Sequence, residues 1–252
     1  MVSPFRRHQQ HVRGLISGAS VRNAAALTPP EPDAASAEGQ EYALLRVLLH
    51  DNLRSLEQVQ SIEARNPLKA DYAKAFAPWI EGVLISGEAG KAAQDEILVT
   101  NMIWAVDYRD FAYALRLGAH AIAHHLILPE RYKRSVACFL AEDIAELSLA
   151  QSDLVAHDHL LTLLTLVEGC DMPDAVGAKL HKALGRSWWR KADAFDPAAG
   201  SAPAGGKAAW LEQAHTHLQR AFALDKSVGV KSDLKSLEKQ IRDLAAEAAR
   251  QD

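Results

Sequence analysis

The sequence has few of the features that mark membrane, secreted or disulfide-stabilised proteins. It contains two cysteines, Cys138 and Cys170, both in apolar helical patterns and without a Cys-x-x-Cys spacing. We therefore expect buried free thiols in a reducing compartment. No apolar run approaches the ~18 residues that a membrane span needs, and the polar start is unlike a secretory signal. These absences predict a cytoplasmic protein without a membrane partner.

A complete nucleotide-binding loop is also missing, although Gly90-Lys91 resembles part of one. Such a loop needs a glycine five residues before its Gly-Lys pair and a Ser or Thr after the lysine. Here those positions are Ile85 and Ala92. Gly87 and Gly90 instead predict the end of one helix, with the next beginning near Lys91. We expect no cofactor.

Charge of one sign dominates only at the N-terminus. The whole chain of 252 residues has a formal net charge of −4, which gives no general attraction to nucleic acid. However, Arg6, Arg7, Arg13 and Arg22 all precede Glu31, the first acidic residue. The N-terminal segment is therefore purely cationic. The whole chain, with 48% hydrophobic and 24% charged residues, is otherwise ordinary for a soluble globular protein.

Apolar residues recur at helical spacing along most of the chain, and no alternating run of β-branched residues is long enough for a sheet. The sequence therefore predicts an all-α protein. A narrow stripe begins the pattern, and such a stripe suits a hairpin arm or a coiled coil; it comprises Tyr42, Leu45, Leu49, Leu56 and Val59. Further helices are predicted near residues 70–86, 91–105, 108–127, 134–150, 158–169 and 174–190, with Pro67, Pro129 and Pro173 as breaks.

We predict five segments along the chain. They are a disordered basic arm with a Pro/Ala-rich linker (1–38), a long helix suited to an oligomerisation hairpin (39–66), a helical core (67–194), a flexible loop (195–206) and a C-terminal helical hairpin (207–252). Residues 110–122 and 210–225 resemble the second half of a tetratricopeptide unit. They lie about a hundred residues apart, so we expect repeat-like hairpins within a bundle rather than a repeat array. The last helix has its own apolar stripe, which we interpret either as a docking face or as a surface for self-association.

The histidines do not predict a metal site. His120 and His124 lie one helical turn apart and could hold zinc, but a zincin needs Glu directly after the first histidine, where Ala121 stands. No further ligand at a recognised spacing completes a tetrahedron. We expect both histidines on a solvated or partner-facing surface. The pairs His157-x-His159 and His215-x-His217 are interpreted as ordinary polar-face residues.

No catalytic residue is assigned. A metal-dependent nuclease needs carboxylates that converge on magnesium, usually with a lysine. Asp174 and Asp233-x-Lys235 partly match the catalytic pattern of restriction-type nucleases. However, that pattern lies at the edge of a β-sheet, whereas these residues lie in helical sequence. The other acid pairs are expected at helix N-terminal turns and on solvated helix faces; they are Asp95-Glu96, Asp107/Asp110 and Glu142-Asp143.

The N-terminal arm is the best candidate for DNA binding. Arginine forks, imidazoles and glutamines can contact phosphates or base edges. With four phosphate contacts, the slope of log K against log salt would be about −3 to −4 per chain. A solvated tail without function is the alternative. The candidate DNA-binding residues are Arg6, Arg7, His8, His11, Arg13 and Arg22.

The chain resembles the small terminase subunit of peduovirus-type tailed phages, a family catalogued as terminase, endonuclease subunit. Five pieces in family order carry the resemblance and together cover most of the chain. They are Ser3-Pro4 with Arg7-His8; Pro78-Trp-Ile-Glu-Gly-Val-Leu84; Gly90-Lys-Ala-Ala-Gln-Asp-Glu-Ile-Leu98; Asp171-Met-Pro-Asp174 with Ala178-Lys-Leu-His-Lys182 and Gly185; and His217-Leu-Gln-Arg-Ala221 with Leu224-Asp225 and Gly229-Val-Lys231.

The resemblance implies a DNA-packaging role in the cytoplasm of a bacterial host. Such subunits bind the cohesive-end (cos) region of concatemeric phage DNA and assemble as oligomeric rings. They present the DNA to a large subunit that holds the ATPase and nuclease. The chain departs from some relatives in lacking a lysine-rich C-terminal tail, so the arm has to supply more of the DNA contact. Two alternatives stay open: an endonuclease in its own right, as the family name suggests, and a helical-repeat adaptor that binds only protein.

Overall fold

The computed structural model describes residues 28–196 and 206–250, and within these ranges it has nine α-helices and no strand. The all-α prediction is confirmed. The helices are α1 (Ala37–Glu57), α2 (Ile62–Glu88), α3 (Glu96–Asp107), α4 (Phe111–Ala123), α5 (Val136–Ala150), α6 (His157–Leu166), α7 (Asp174–Asp193), α8 (Gly206–Leu224) and α9 (Lys231–Ala248). No helix in these ranges is long and apolar enough to cross a membrane.

The chain divides into two units, Met1–Leu140 and Ala141–Asp252, and the division falls inside α5. Helices α1 to α4 belong to the first unit, and α6 to α9 belong to the second. The predicted basic arm and most of the predicted flexible loop 195–206 lie outside the described ranges. The five segments proposed from the sequence therefore stay a prediction.

Helix α3 is the centre of the first unit, because the ten residues Ile97–Val106 are all buried. A helix that is mainly apolar on every side is stable only when other elements surround it, and α1, α2 and α4 all contact α3. Two of its buried residues, Thr100 and Asn101, are polar. The Asn101 Nδ2 donates to the Ile97 carbonyl at 2.8 Å, within the same helix.

Helix α1 packs against this core through the apolar stripe that the sequence indicates. Three residues at seven-residue spacing are buried on that side: Tyr42, Leu49 and Leu56. Another face of α1 carries three exposed apolar residues at helical spacing: Leu44, Val47 and Leu48. The stripe that suits a hairpin arm or a coiled coil therefore packs within the first unit, and the face with Leu44, Val47 and Leu48 is exposed.

Two sequence-derived helix limits need correction. Helix α2 continues through Pro67, which therefore does not end a helix. The helix does end as expected near Gly87, and Gly90 has a left-handed φ of 79° that suits a chain reversal. Helix α3 begins at Glu96 rather than near Lys91, because the helix starts where the Asp95 side chain caps it.

Helices α7 and α8 pack side by side in the second unit, and α9 packs against α8. Gly185 permits the close approach, since a Cβ there would lie 2.7 Å from Leu218 Cγ and 3.1 Å from the Ala214 carbonyl oxygen. The apolar stripe of α9 is used inside this unit, where these α9 residues belong to or pack against the core: Leu234, Leu237, Ile241 and Leu244. The hairpins are consistent with the tetratricopeptide-like prediction.

The two cysteines are free thiols. Cys138 is buried and Cys170 is half-buried. Burial raises the pKa of the Cys170 thiol, which disfavours the reactive thiolate.

Candidate nucleic-acid interface

The residues chosen from the sequence for DNA binding lie in the arm, outside the described residues, as all of them precede Thr28. Their contacts therefore stay a prediction. What the structure does describe is the linker that joins the arm to the first unit, together with the charged and histidine-rich groups of both units.

The linker is attached to the first unit at defined points. The Gln94 amide donates to the Pro30 carbonyl at 2.9 Å. Glu31 pairs with Arg46 of α1 at 3.2 Å. The Ser36 hydroxyl then accepts from the Gly39 amide at 2.9 Å and caps α1. Pro30 and Glu31 of the linker therefore lie beside the segment before α3 and beside α1, respectively.

A buried carboxylate lies directly behind this attachment. Asp95 is 1% exposed, and its Oδ1 accepts from the Leu98 amide at 2.8 Å while its Oδ2 accepts from Trp79 Nε1 at 2.7 Å. Burial raises the pKa of Asp95, although both hydrogen bonds oppose that shift. A raised carboxyl pKa often marks a catalytic group. Here both oxygens are engaged in capping α3 and in holding Trp79, so the role of Asp95 is structural.

Tyr42 connects α1 to the same point. Its ring stacks on Trp79 with centroids 5.7 Å apart, and its hydroxyl accepts from the Glu96 amide at 3.0 Å. Burial raises the pKa of Tyr42 to about 12. The Glu96 carboxylate accepts from Arg46 Nε at 3.2 Å and contacts His50 Nε2 at 3.3 Å. The Asp95-Glu96 pair thus joins α1, α2 and α3 around the linker attachment.

The other acidic candidates also have separate structural partners. Lys69 donates to Asp107 at 2.7 Å, and the Asp110 carboxylate caps α4 by accepting from the Tyr113 amide at 3.0 Å. In the second unit, Lys179 donates to Glu142 at 2.9 Å.

The restriction-type pattern has no catalytic arrangement in the structure. Asp174 begins helix α7, and Asp233 lies in the first turn of α9, where it accepts from Arg186 Nε at 2.9 Å. Among the residues that the structure describes, no group of three or more His, Cys, Asp or Glu is placed to hold a metal ion.

The prediction that His120 lies on an exposed surface is wrong. Its side chain is 8% exposed and packs against Gly87 of α2, where a Cβ would lie 2.6 Å from the His120 Nδ1 and 3.0 Å from the His124 Nε2. Because Gly87 has no side chain, helix α4 approaches α2 closely enough to cover the imidazole. Burial, helped by the neighbouring His124, lowers the pKa of His120 to about 4.

The histidines of the second unit are not simple polar-face residues either. The His157 Nδ1 lies 2.9 Å from the Ser187 hydroxyl, and His181 and His217 meet with their Nδ1 atoms 2.9 Å apart. Burial lowers the pKa of His157 and of His181 to about 4 and also lowers that of His217. A lowered pKa favours the neutral imidazole, which makes these side chains poor candidates for a phosphate contact. Their proximity arises from tertiary packing and has no signal in sequence spacing.

The described residues therefore define an all-α protein in which Asp95 and Asp110 cap helices and in which three further candidate acids form ion pairs: Glu96, Asp107 and Glu142. The chain belongs to the phage small terminase subunit family, since the sequence profile described as "Phage small terminase subunit" matches residues 46–175. Over 245 residues it is 32% identical to the "Terminase, endonuclease subunit" of Escherichia phage P2, covering 96% of this chain and 87% of that protein. No solved structure matches.

The family assignment confirms the resemblance drawn from the sequence motifs, and it places the chain in DNA packaging. Membership also implies DNA and a large terminase subunit as partners. The profile match begins inside α1 and ends at the start of α7. The alignment with the phage P2 protein extends over nearly the whole chain, so it reaches beyond this central region.

Proposed function

We propose that this protein selects the cos region of concatemeric viral DNA in the host cytoplasm and presents it to the large terminase ATPase and nuclease. Family membership supplies the packaging context. The observation that carries the proposal is the purely cationic N-terminal sequence, joined to the first unit through a linker that is attached at Pro30 and Glu31. A fixed attachment lets each copy present its arm from the same place.

Phosphate contacts by the arm would supply affinity, and contacts to base edges or DNA shape would choose the site. The six candidate residues are Arg6, Arg7, His8, His11, Arg13 and Arg22. A single arm with about four phosphate contacts binds weakly at physiological salt, whereas several linked arms bind with much higher avidity. The proposal therefore includes a homo-oligomer, expected as a ring.

The exposed face of α1 supports this oligomer. Leu44 is 74% exposed, Val47 is 60% exposed and Leu48 is 39% exposed, and they lie on one side of the helix. We propose that this face packs against a second copy of the chain. Changing all three residues to Ser should reduce the oligomer measured by sedimentation velocity. The matched control changes Ile62, Ile85 and Ile127, which are exposed elsewhere in the first unit. Equal effects of the two triple variants would refute the assignment of this face.

The arm is tested by DNA titration at two salt concentrations with the full chain and with a chain lacking residues 1–26. Removal should make the slope of log K against log salt smaller by about 3 to 4 per chain. Changing Arg6, Arg7, Arg13 and Arg22 to Lys provides the control, because lysine keeps the charge but loses the bidentate fork. That variant should retain most of its affinity for random duplex and lose preference for cos DNA. Unchanged DNA binding after removal of residues 1–26 would show that the arm does not contribute to DNA binding.

The name of the phage P2 relative favours a second candidate, an endonuclease in its own right. Purified protein, incubated with cos DNA and Mg²⁺ without the large subunit, tests it. Cleavage that is lost on changing Asp107 and Asp110, or Asp95 and Glu96, in variants whose thermal melts show that they remain folded, would establish intrinsic catalysis and overturn the division of labour proposed here. A protein-only adaptor would instead show no duplex binding even at low ionic strength.

A further inference from the structure

The turn between α8 and α9 holds lysines in a defined arrangement. Lys226 and Lys231 flank this turn, and both side chains extend over the Phe222 ring, with Nζ atoms 4.1 Å and 5.5 Å from its centroid. Both lysine residues are exposed. A shared aromatic ring attracts both ammonium groups and keeps them near the turn.

A third cation supports the turn from α7. Lys182 Nζ donates to the Val228 carbonyl at 2.6 Å, and it would lie 3.6 Å from a Cβ at Gly229. Burial, together with the positive charge of Arg186, lowers the pKa of Lys182. Burial is the larger cause, and the nearby Asp233 carboxylate acts in the opposite direction.

The turn itself has a specific backbone conformation. Asp225 Oδ1 accepts from the Ser227 amide at 2.7 Å and from the Ser227 hydroxyl at 2.6 Å, and these bonds lower the pKa of Asp225. Gly229 has a left-handed φ of 76°, which glycine adopts most readily. The two exposed lysines are therefore presented by a structured turn.

The contacts with Phe222 hold the two lysines but do not neutralise them. Asp233 pairs with Arg186 at 2.9 Å, and Asp225, hydrogen-bonded by the neutral groups of Ser227, keeps its charge, so the four cations around the turn (Lys182, Arg186, Lys226 and Lys231) outnumber these two carboxylates. Lys231 is the first residue of α9, where a cation opposes the helix dipole and an acidic residue would be more stable. The arrangement instead produces a local positive potential that a bound anion would offset.

We propose that this turn is a second DNA-contact site, at which Lys226 and Lys231 bind backbone phosphates of the duplex. The inference rests on the proposed packaging function and goes beyond it, because it assigns DNA contact to the C-terminal hairpin as well as to the arm. The partner is duplex DNA rather than a small phosphate compound, because both lysines are exposed, flank one turn and contact one ring, so that they can reach the same stretch of phosphate backbone. Phosphate contacts of this kind add affinity without sequence preference.

The test compares K226Q/K231Q with K239Q/R242Q in the full-length protein. The control pair is also exposed and lies further along α9, so both variants lose the same charge. K226Q/K231Q should lower the slope of log K against log salt by about 2 per chain, for cos and random duplex alike. Between about 50 and about 200 mM salt, the wild type should then lose about tenfold more affinity than this variant does. The control should keep the wild-type slope.

Two further experiments separate this inference from the proposed function. Protein without residues 1–26 should retain a weaker, salt-dependent binding that K226Q/K231Q removes. Competition with inorganic phosphate at matched ionic strength should displace little DNA, whereas efficient displacement would indicate a small-anion site and overturn the proposal. If the wild type binds DNA and K226Q/K231Q behaves like K239Q/R242Q, only this inference fails. If the wild type ignores duplex DNA at low salt, both fail.

Discussion

Replacing Asp95 with Ala tests the structural role of the acid at the linker attachment. The change removes the cap of α3, which costs about 1 kcal/mol. It also leaves the Trp79 Nε1 donor buried without the acceptor now 2.7 Å away, at a further cost of about 1–3 kcal/mol. Relief of the buried charge offsets part of this loss, since burial raises the pKa of Asp95. The two costs add up to about 2–4 kcal/mol, so after this offset we expect a net destabilisation near the lower end of that range.

Asp110 supplies a matched control, because it caps α4 with the same i to i+3 bond but is exposed and makes no bond to a buried donor. Asp110→Ala should therefore cost about 1 kcal/mol. The destabilisation caused by Asp95→Asn should lie between those of Asp95→Ala and Asp110→Ala, since one amide oxygen cannot readily replace both carboxylate acceptors.

Hydrogen exchange of α3 peptides in a urea series would report the first unit separately from the second. If Asp95→Ala destabilises α3 no more than Asp110→Ala destabilises α4, the buried bond to Trp79 contributes nothing, and the structural interpretation of Asp95 is refuted.

Two further predictions concern packing and pH. Gly87→Ala should destabilise the first unit by about 1–3 kcal/mol, because the added Cβ would collide with His120. In the control Gly82→Ala, in the same helix, the added Cβ meets no atom within 4 Å, so this change should stabilise the unit by up to about 1 kcal/mol. Thermal melts in which both variants behave alike would contradict this prediction. Burial holds the pKa of His181 at about 4, below the ordinary 6.5, so the unfolded chain takes up more protons in that window and stability should fall as the pH drops from 6.5 toward 4. The loss should be smaller in H181Q/H217Q than in the exposed-site control H50Q, as read from melting temperatures across that pH range.

Much of the secondary structure follows from the sequence, because its determinants are local. Apolar spacing, glycines and helix-capping acids are read within a few residues, and the predicted helices correspond to the observed ones. The errors at Pro67 and Lys91 have different causes. Proline lowers helix stability without forbidding a helix that is packed elsewhere. The start of α3 depends on the bond between Asp95 and the distant Trp79 as well as on its local cap.

The sequence by itself determined the helical class, the family and the cationic character of the N-terminal segment, since these depend on composition and residue order. Only the tertiary structure decided which polar groups are buried. The spacing of apolar residues in α4 predicts an exposed His120. In the folded chain, α2 covers the imidazole, because Gly87 has no side chain and lets the two helices approach closely. Likewise, the residues after Lys226 are almost charge-balanced in sequence. Folding around the ring of Phe222 places two lysines together, because electrostatic potential depends on distances in space.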